Sequence, residues 1–328
     1  MKSLILIDSY AQIFRAYYAV RALSNSAGEP SNAIFAMCKF LLKMHDEYPD
    51  HHGAFVFDMG RPPHRLALAP AYKANRAPMP EDLCRQMDTI RELIRAFGWP
   101  MIQEQDWEAD DLIACVVEHF KEPHILIVSA DKDLAQLIDR RVQMLVPDQA
   151  NKGFTLRGVE QVQEKFGVSP EQILDYLAMI GDSSDNIPGV EGVGPKTACQ
   201  LLNQCGSLEQ MFSHPESIAK EKLRLKITEA EALLKKNVQL IRLVTQKPEN
   251  VCWNDHTFQR QMPDFSAILQ IAEKYELKSL IKDLSKRLDD ADQDLFRSAA
   301  PELPRQTADS TDNAGENAVQ EWDQPELF

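Results

Sequence analysis

The chain opens with the run SLILID, residues 3–8, in which four consecutive apolar residues stop at an acid. The pattern returns in GAFVFD, residues 53–58, and in ILIVSAD, residues 125–131, and a further apolar run, VQMLV, occupies residues 142–146. Short apolar runs of this kind are typical of buried strands. Helical patterns lie between them, at residues 31–47, 79–97 and 108–121. Strands that alternate with helices predict an α/β fold with a largely parallel sheet.

Acidic residues follow these strands, at the edge where an open parallel sheet forms its active site. Like charges resist being gathered unless other charge compensates them. Hard divalent cations such as Mg²⁺ prefer oxygen ligands and supply that compensation. The pattern therefore predicts a metal-dependent enzyme of phosphoryl transfer. The candidate metal ligands are Asp8, Asp58, Glu108, Asp110, Asp111, Asp131, Asp133, Asp182 and Asp185.

Helix capping is the alternative explanation for two of the acidic motifs. DWEADDLIA, residues 106–114, places three acids in the first turn of a helix, where they suit the helix dipole. In SADKDL, residues 129–134, Asp131 or Asp133 could cap the helix that follows. Two acids are more than one cap requires, so metal binding and capping both stay open here.

The most specific stretch is GDSSDNIPGVEGVGPKTA, residues 181–198. Glycines allow backbone N–H groups to approach a phosphate, and a helix N-terminus adds favourable potential. The stretch predicts a helix–hairpin–helix that holds a nucleic-acid backbone without reading bases. An ordinary loop between packed helices explains so many glycines only weakly. The candidate DNA-binding residues are Gly189, Gly192, Gly194, Lys196 and Thr197.

Residues 61–83 are basic and contain five prolines, which favours a mobile or arched connection. Lys73 and Arg76 lie three residues apart, and Tyr72 is adjacent. Cations beside an aromatic ring suit a frayed strand end, with charge for phosphate and a ring for base stacking. The alternative is an ordinary solvated basic face.

The chain of 328 residues is long enough for a large domain and a smaller one. We expect an α/β core over residues 1–168, a helical DNA-binding part over 169–288 and a disordered acidic tail over 289–328. The tail holds eleven acidic residues and two arginines, and so carries most of the net charge of −14. Local basic groups, and not overall charge, must therefore bind any phosphate.

The beginning of the chain and its cysteines indicate a cytoplasmic protein. Its first apolar run is too short for a signal peptide, and no run is long enough to span a membrane. The six cysteines show no paired spacing, which favours a reducing compartment.

Five stretches together resemble the 5′-nuclease (flap endonuclease) family, and within it the 5′→3′ exonuclease domains of bacterial DNA polymerase I. They are LILIDS…FRAYYA, VFD…YKANRAPMPEDL, EADDLIA, ADKDLAQL and GDSSDNIPGVEGVGPKTA, in family order over about residues 2–285. The departures are mild: Ser9 and Ala130 stand where glycine is usual. No polymerase domain follows, so we expect a stand-alone nuclease.

The resemblance implies a PIN-like core with a helix–three-turn–helix, and two Mg²⁺ ions, replaceable by Mn²⁺, held by the nine acids. How the acids divide between the ions is left open. By resemblance Lys73 and Arg76 contact the scissile phosphate, Arg15 is another phosphate-facing arginine, and Tyr72 stacks on a base. The hairpin glycines are expected to hold the duplex backbone around a K⁺ ion.

The tail ends in QPELF, which resembles peptides that dock on the bacterial sliding clamp. A disordered leash with a terminal apolar anchor suits such docking, and Gln324, Leu327 and Phe328 are its candidate contacts. Because five-residue motifs arise by chance, an untethered acidic tail is the alternative.

The implied activity is hydrolysis of phosphodiester bonds by a monomer in replication and repair. The substrates are DNA with 5′ flaps, nicks or free 5′ ends, and primer RNA. An RNA-directed PIN-type ribonuclease is a second interpretation, which the helix–hairpin–helix disfavours because that motif fits duplex DNA. A non-catalytic DNA-binding scaffold is a third, which the complete set of acids disfavours.

Overall fold

The apolar runs form the strands of one sheet. The computed structural model describes residues 3–148 and 153–299 of the chain, with side chains up to residue 289. Within these ranges the strands are β1 (Ser3–Asp8), β2 (His52–Val56), β3 (Met101–Ile102), β4 (His124–Val128), β5 (Val142–Asp148) and β6 (Gly153–Arg157). Their order is β3-β2-β1-β4-β5-β6, and only the edge pair β5–β6 is antiparallel. The predicted α/β class with a largely parallel sheet is confirmed.

Side-chain alternation along β1 explains why the sheet is covered on both faces. Leu4 and Leu6 belong to one apolar core, whereas Ile5 and Ile7 belong to the other, and all four are fully buried. Successive residues of a strand point to opposite faces, so an unbroken apolar run requires helices on both sides. β1 therefore lies in the centre of the sheet, paired with β2 and β4.

Helices of the first half alternate with the strands, as predicted. They are α1 (Ser9–Ala19), α2 (Asn32–Glu47), α3 (Pro63–Leu68), α4 (Glu81–Cys84), α5 (Met87–Ala96) and α6 (Ala109–His119). The pattern at residues 79–97 is two helices instead of one, and α1 was not predicted. Two strands were also missed: β3 has only two residues, and β6 lies at an edge and has no buried residue.

The second half is helical, as the fading of strand patterns after residue 168 indicates. Its α-helices are α7 (Val159–Phe166), α8 (Ile173–Ile180), α9 (Pro195–Cys205), α10 (Leu208–Ser213), α11 (Glu221–Glu229), α12 (Glu231–Ile241), α13 (Phe265–Lys274) and α14 (Lys278–Ala299). Short 3₁₀ turns occupy Asp133–Leu137, Pro170–Gln172, Pro215–Ser217 and Asp255–Phe258.

The last helices return to the first half of the chain. α13 packs against α5, and Leu280 and Leu284 of α14 share an apolar core with β1 and α2. Residues 1–288 accordingly form one compact unit. The predicted division at residue 168 remains a prediction.

No helix within the described ranges combines the length and apolar character needed to cross a bilayer. The predicted clamp-binding residues Gln324, Leu327 and Phe328 lie outside the described residues.

Candidate active site

Neighbouring strands deliver acids to the carboxyl edge of the sheet. Asp8 ends β1, and its carboxylate accepts hydrogen bonds from the Ala11 N–H at 3.2 Å and from Ser129 Oγ at 2.9 Å. Asp58 lies two residues beyond β2 and accepts from the Ala109 N–H at 3.2 Å, where α6 begins. Because β1 pairs with both β2 and β4, acids that follow these strands share one edge.

The turn after β4 carries two acids. Ser129 Oγ accepts from the Asp131 N–H at 3.0 Å, and Asp131 Oδ1 accepts from the Asp133 N–H at 2.9 Å. Asp131 therefore accepts from the first N–H of the short 3₁₀ turn, although Lys132 occupies the cap position and no side chain caps the turn. This bond occupies one oxygen of Asp131 and leaves the Asp133 carboxylate unexplained.

Burial and mutual repulsion raise the pKa of most acids at this edge. Burial, followed by the charges of Asp58 and Asp131, raises the pKa of Asp8 to about 7. Burial and then the charge of Asp131 raise the pKa of Asp133 to about 8. Burial and neighbouring acids likewise raise the pKa of Asp110 well above its usual range. These carboxylates are close enough to disfavour one another's ionised form.

We call five of these acids the acidic edge: Asp8, Asp58, Asp110, Asp131 and Asp133. Among the described residues, no lysine or arginine forms an ion pair with any of them. An all-oxygen donor set with uncompensated charge fits a hard divalent cation. In the same part of the chain, no three acidic, histidine or cysteine side chains are already gathered as ligands of one ion. The number of ions and the division of the acids between them remain predictions.

Glu108 lies beside the acidic edge and is held by residues of the basic segment. Its carboxylate accepts from Lys73 Nζ at 2.7 Å and from the Tyr72 hydroxyl at 3.1 Å. Lys73 has a φ of 53° and donates its backbone N–H to Asp185 O at 3.0 Å. Such a conformation costs about 1–3 kcal/mol and is commonest at functional sites. The structure thus brings Lys73 to the predicted site.

Tyr72 is placed differently from the prediction. Its side chain is 4% exposed, and its hydroxyl is bonded to Glu108. A ring so deeply buried has no free face for a base. The base-stacking role predicted for Tyr72 is therefore not supported in this conformation, and the tyrosine orients Glu108 instead.

Two acids on the loop between α8 and α9 meet basic side chains. Asp185 is buried and pairs with Arg76 Nη2 at 2.6 Å and with Lys73 Nζ at 3.7 Å. Asp182 pairs with Lys132 Nζ at 3.1 Å. Burial opposes ionisation of Asp182, but hydrogen bonds, including one from Lys132, lower its pKa. Lys73 and Arg76 therefore connect the basic segment to this loop.

Asp111 forms an ion pair that was not predicted. Both its oxygens bond the guanidinium of the buried Arg65, at 2.5 and 2.8 Å. This placement does not support the metal-ligand role predicted for Asp111. The sequence carries no local signal for the pair, because the two residues are 46 positions apart.

Arg15 is also outside the acid group. It lies on α1 with its guanidinium 5.4 Å from the centre of the Phe154 ring, and burial lowers its pKa. No described carboxylate pairs with it. Its predicted phosphate contact remains a prediction.

The glycine-rich loop joins α8 to α9, as expected for a helix–hairpin–helix. A side chain at Gly189 would collide with the Ile180 carbonyl, so Gly189 is required by backbone packing. Nothing lies within 4 Å of a side chain placed at Gly194, and Lys196 is exposed. Gly194 and Lys196 are thus open to a ligand, whereas packing alone explains Gly189 and contact with DNA is not needed there.

Gly192 lies beside a lysine that was not predicted to belong to the hairpin. It has a φ of 79°, and a side chain there would lie 2.7 Å from Lys226 Nζ. Lys226, on α11, donates to the Glu191 carbonyl at 2.7 Å. A lysine 35 positions away therefore places its charge on the hairpin.

Comparisons with solved structures support the fold. The T5 5′-exonuclease with bound zinc is 20% identical, with a TM-score of 0.59 over 87% of this chain and 99% of that chain. The catalytic core of Rad2 in complex with DNA substrate is 16% identical, with a TM-score of 0.55 over 84% and 87%. The predicted PIN-like nuclease core with a helical part is confirmed as the fold class.

Sequence comparisons identify the family. Residues 3–167 match the family described as 5′-3′ exonuclease, N-terminal resolvase-like domain, and residues 168–266 match 5′-3′ exonuclease, C-terminal SAM fold. The 5′-3′ exonuclease of Aquifex aeolicus is 34% identical over 87% of this chain and 96% of its own length. DNA polymerase I of Deinococcus radiodurans is 36% identical over 85% of this chain, which spans only 29% of that polymerase. The chain belongs to the 5′-3′ exonuclease family.

Proposed function

We propose that the chain is a metal-dependent 5′→3′ exonuclease and 5′-flap endonuclease that hydrolyses phosphodiester bonds of DNA. The observation that carries the proposal is the acidic edge, with its raised pKa values, adjoining Lys73 and Arg76. Unpaired carboxylates at the carboxyl ends of parallel strands form a site for cations, and the adjacent basic residues provide a place for phosphate.

The acids of the edge, with Glu108, Asp182 and Asp185, would hold two Mg²⁺ ions, or Mn²⁺ in their place. Bound divalent ions supply positive charge that activates water and offsets charge on the phosphate oxygens. Glu108 and Asp185 now neutralise Lys73 and Arg76. A substrate phosphate at these cations would compete with the two carboxylates and release them toward the edge.

Lys73 and Arg76 orient the scissile phosphate and stabilise its developing charge. Arg76 is the better placed for first contact, since its side chain is 51% exposed, whereas that of Lys73 is 9% exposed. The two residues thus divide capture of the phosphate and stabilisation of its charge between them.

The hairpin grips the backbone of the downstream duplex and so sets where the cut falls. The N-terminus of α9, where Gly194 makes no side-chain cap, and the exposed Lys196 provide a surface for phosphate without base contacts. Gly192, Gly194 and Thr197 belong to the same surface. Lys226 adds charge where a K⁺ ion was predicted; such an ion remains a prediction.

We further propose the finer role expected from the sequence. Substrates would be DNA with 5′ flaps, nicks or free 5′ ends, and primer RNA, cleaved by a cytoplasmic monomer during replication and repair. The terminal peptide with Gln324, Leu327 and Phe328 would dock on the sliding clamp. Deleting residues 324–328 should abolish clamp-stimulated cleavage and leave cleavage of free oligonucleotides unchanged; an unaltered pull-down of the clamp would contradict the docking role.

The deciding experiment is cleavage of 5′-flap, nicked, single-stranded and RNA-primed substrates with Mg²⁺, with EDTA as the control. We expect cleavage near the flap junction that stops in EDTA. Preference for single-stranded RNA would favour the PIN-type ribonuclease. Tight binding of flap DNA without cleavage of any substrate would favour the non-catalytic scaffold.

A further inference from the structure

Arg65, on α3, is among the largest fully buried side chains of the protein, with 2% exposure. Every nitrogen of its guanidinium donates a hydrogen bond. Nη1 bonds Glu108 at 2.7 Å and Asp111 at 2.5 Å, and Nη2 bonds Asp111 at 2.8 Å. Nε bonds the Leu240 carbonyl at 2.9 Å, and Nη2 also bonds the Arg242 carbonyl at 3.1 Å. Arg65 therefore joins α3, α6 and the end of α12.

Asp111 is as fully occupied as its partner. It is 1% exposed, accepts two bonds from Arg65 and accepts a third from the Val244 N–H at 2.9 Å. Two-pronged pairs of arginine and carboxylate are among the strongest hydrogen-bonded contacts in proteins. Asp110, the preceding residue, has no ion pair within the described part of the chain.

We propose that Asp111 is not a metal ligand, and that Arg65 and Asp111 form an anchor that positions Glu108 beside the acidic edge. Arg65 holds Glu108 Oε2, while Glu108 Oε1 faces Lys73. Arg65 is a positioning residue. The part that concerns Glu108 rests on the proposed function, whereas the exclusion of Asp111 rests on its contacts alone.

The anchor also connects the site to the hairpin. On α12, Asn237 Nδ2 donates to the Ala178 carbonyl at 2.9 Å and to the Pro188 carbonyl at 2.7 Å. These carbonyls lie on either side of the segment that carries Asp182 and Asp185. Three residues after Asn237, Leu240 accepts from Arg65. Through Arg65, Glu108 is therefore connected to the same helix that bonds the two ends of the hairpin.

The first test compares Asp111→Asn with Asp110→Asn by thermal unfolding in EDTA at about pH 8, where carboxylates are most ionised. Asp111→Asn should lower Tm by about 10 °C, because it breaks a buried ion pair. Asp110→Asn should leave Tm unchanged or raise it, because it removes an unpaired charge from a like-charged group. Tm shifts of the same sign in both variants would overturn the anchor, and this readout needs no cleavage of DNA.

A double variant keeps the test decisive if Asp111→Asn does not fold. Replacing the pair by apolar residues, Arg65→Met with Asp111→Leu, should restore a folded chain. Mn²⁺ titration followed by electron paramagnetic resonance should still show bound metal in this double variant. Loss of Mn²⁺ binding as complete as in Asp110→Asn, with Mn²⁺ still bound by the variant Arg65→Lys that retains Asp111, would make Asp111 a ligand and overturn the proposal.

Positioning of Glu108 is tested with Arg65→Lys, which keeps the positive charge and loses the two-pronged hydrogen bonding of the guanidinium. Mn²⁺ affinity should fall by about 10-fold, as for residues that orient metal ligands. Arg260→Lys is the matched control, since Arg260 lies 4.0 Å over the Trp99 ring and, within the described residues, donates to the Tyr48 carbonyl and to no carboxylate. Unchanged Mn²⁺ affinity in Arg65→Lys would overturn the positioning role. Failure of the wild type to bind Mn²⁺ would refute the proposed function, while the Tm comparison would still decide the anchor.

Discussion

Asp110 and Asp111 are neighbours in sequence and belong to opposite environments. Asp110 joins the acidic edge, where burial and like charges raise its pKa. Asp111 belongs to the anchor, where a buried arginine satisfies both its oxygens. A buried carboxylate is tolerated when it is paired, whereas one left unpaired costs stability and persists where another ligand compensates its charge. The contrast separates the acids proposed to bind metal from a structural acid of the same residue type.

Basic residues mark the boundary between these two regions. Lys73, Arg76 and Lys132 pair with Glu108, Asp185 and Asp182, and none pairs with the described acids of the edge. The acids of the anchor and of the loop therefore pair directly with cations, whereas the described acids of the edge receive only longer-range compensation. Variants that remove a single charge from one region test the comparison directly.

The largest effect is expected from Asp133→Asn. The substitution keeps the shape and removes one charge of the edge, so flap cleavage should fall by at least about 10²–10³-fold while flap binding in EDTA persists. The measurement is single-turnover cleavage of a 5′-flap. Asp50→Asn, at an exposed position, is the control. Wild-type cleavage by the Asp133 variant would refute the assignment of the edge to catalysis.

Lys73→Ala is expected to have the next largest effect. Loss of a cation at the scissile phosphate should lower kcat by about 10²-fold with little change in KM, because the charge acts mainly in the transition state. Steady-state kinetics on flap DNA give both constants, with the exposed Lys282→Ala as the control. A raised KM with unchanged kcat would show that Lys73 only binds the strand.

A smaller effect is expected on pH-dependent stability. The pKa of Asp133 is about 8 in the folded chain, against an ordinary value of 3.8. Because the folded chain favours the protonated carboxyl, its contribution to the free energy of unfolding is fully present below the pKa of the unfolded chain. This contribution is lost as pH rises through the pKa of the folded chain. In EDTA, the Tm of Asp133→Asn minus the Tm of wild type should therefore increase as pH rises from about 5 to about 8. A constant difference would contradict the raised pKa.

Addition of Mg²⁺ to the same Tm comparison tests whether Asp133 binds metal. Because bound cations stabilise the folded state by mass action, Mg²⁺ should raise the Tm of wild type more than that of Asp133→Asn at about pH 8. Equal shifts in the two proteins would remove Asp133 from the metal site.

The smallest effect is expected from Lys226→Gln, which keeps a hydrogen-bond donor for Glu191 and removes the charge. Binding of nicked duplex in EDTA should weaken a few-fold, and the slope of log Kd against log salt should fall by about one. Fluorescence anisotropy over a salt series measures both, with Lys282→Gln as the matched control. If the slope stays at the wild-type value while Tm falls, Lys226 only braces the hairpin.

Much of the fold could be predicted because its signals are local. The apolar runs at β1, β2, β4 and β5 are each a few residues long, and each identifies a strand without its partners. The acids after β1, β2 and β4 follow from chain order alone, because parallel strands end at one edge. Edge strand β6 was missed because none of its residues is buried and they give no apolar run.

The sequence by itself determined the strand runs, the acids beyond them and the glycine-rich turn. Tertiary structure alone decided which acids have a direct partner: Asp111 has Arg65, Glu108 has Lys73 and Tyr72, and the edge has no ion pair among the described residues. It also buried Tyr72 and brought Lys226 to Gly192. The physical reason is that electrostatic compensation depends on distance in space, and these partners lie between 34 and 46 positions apart along the chain.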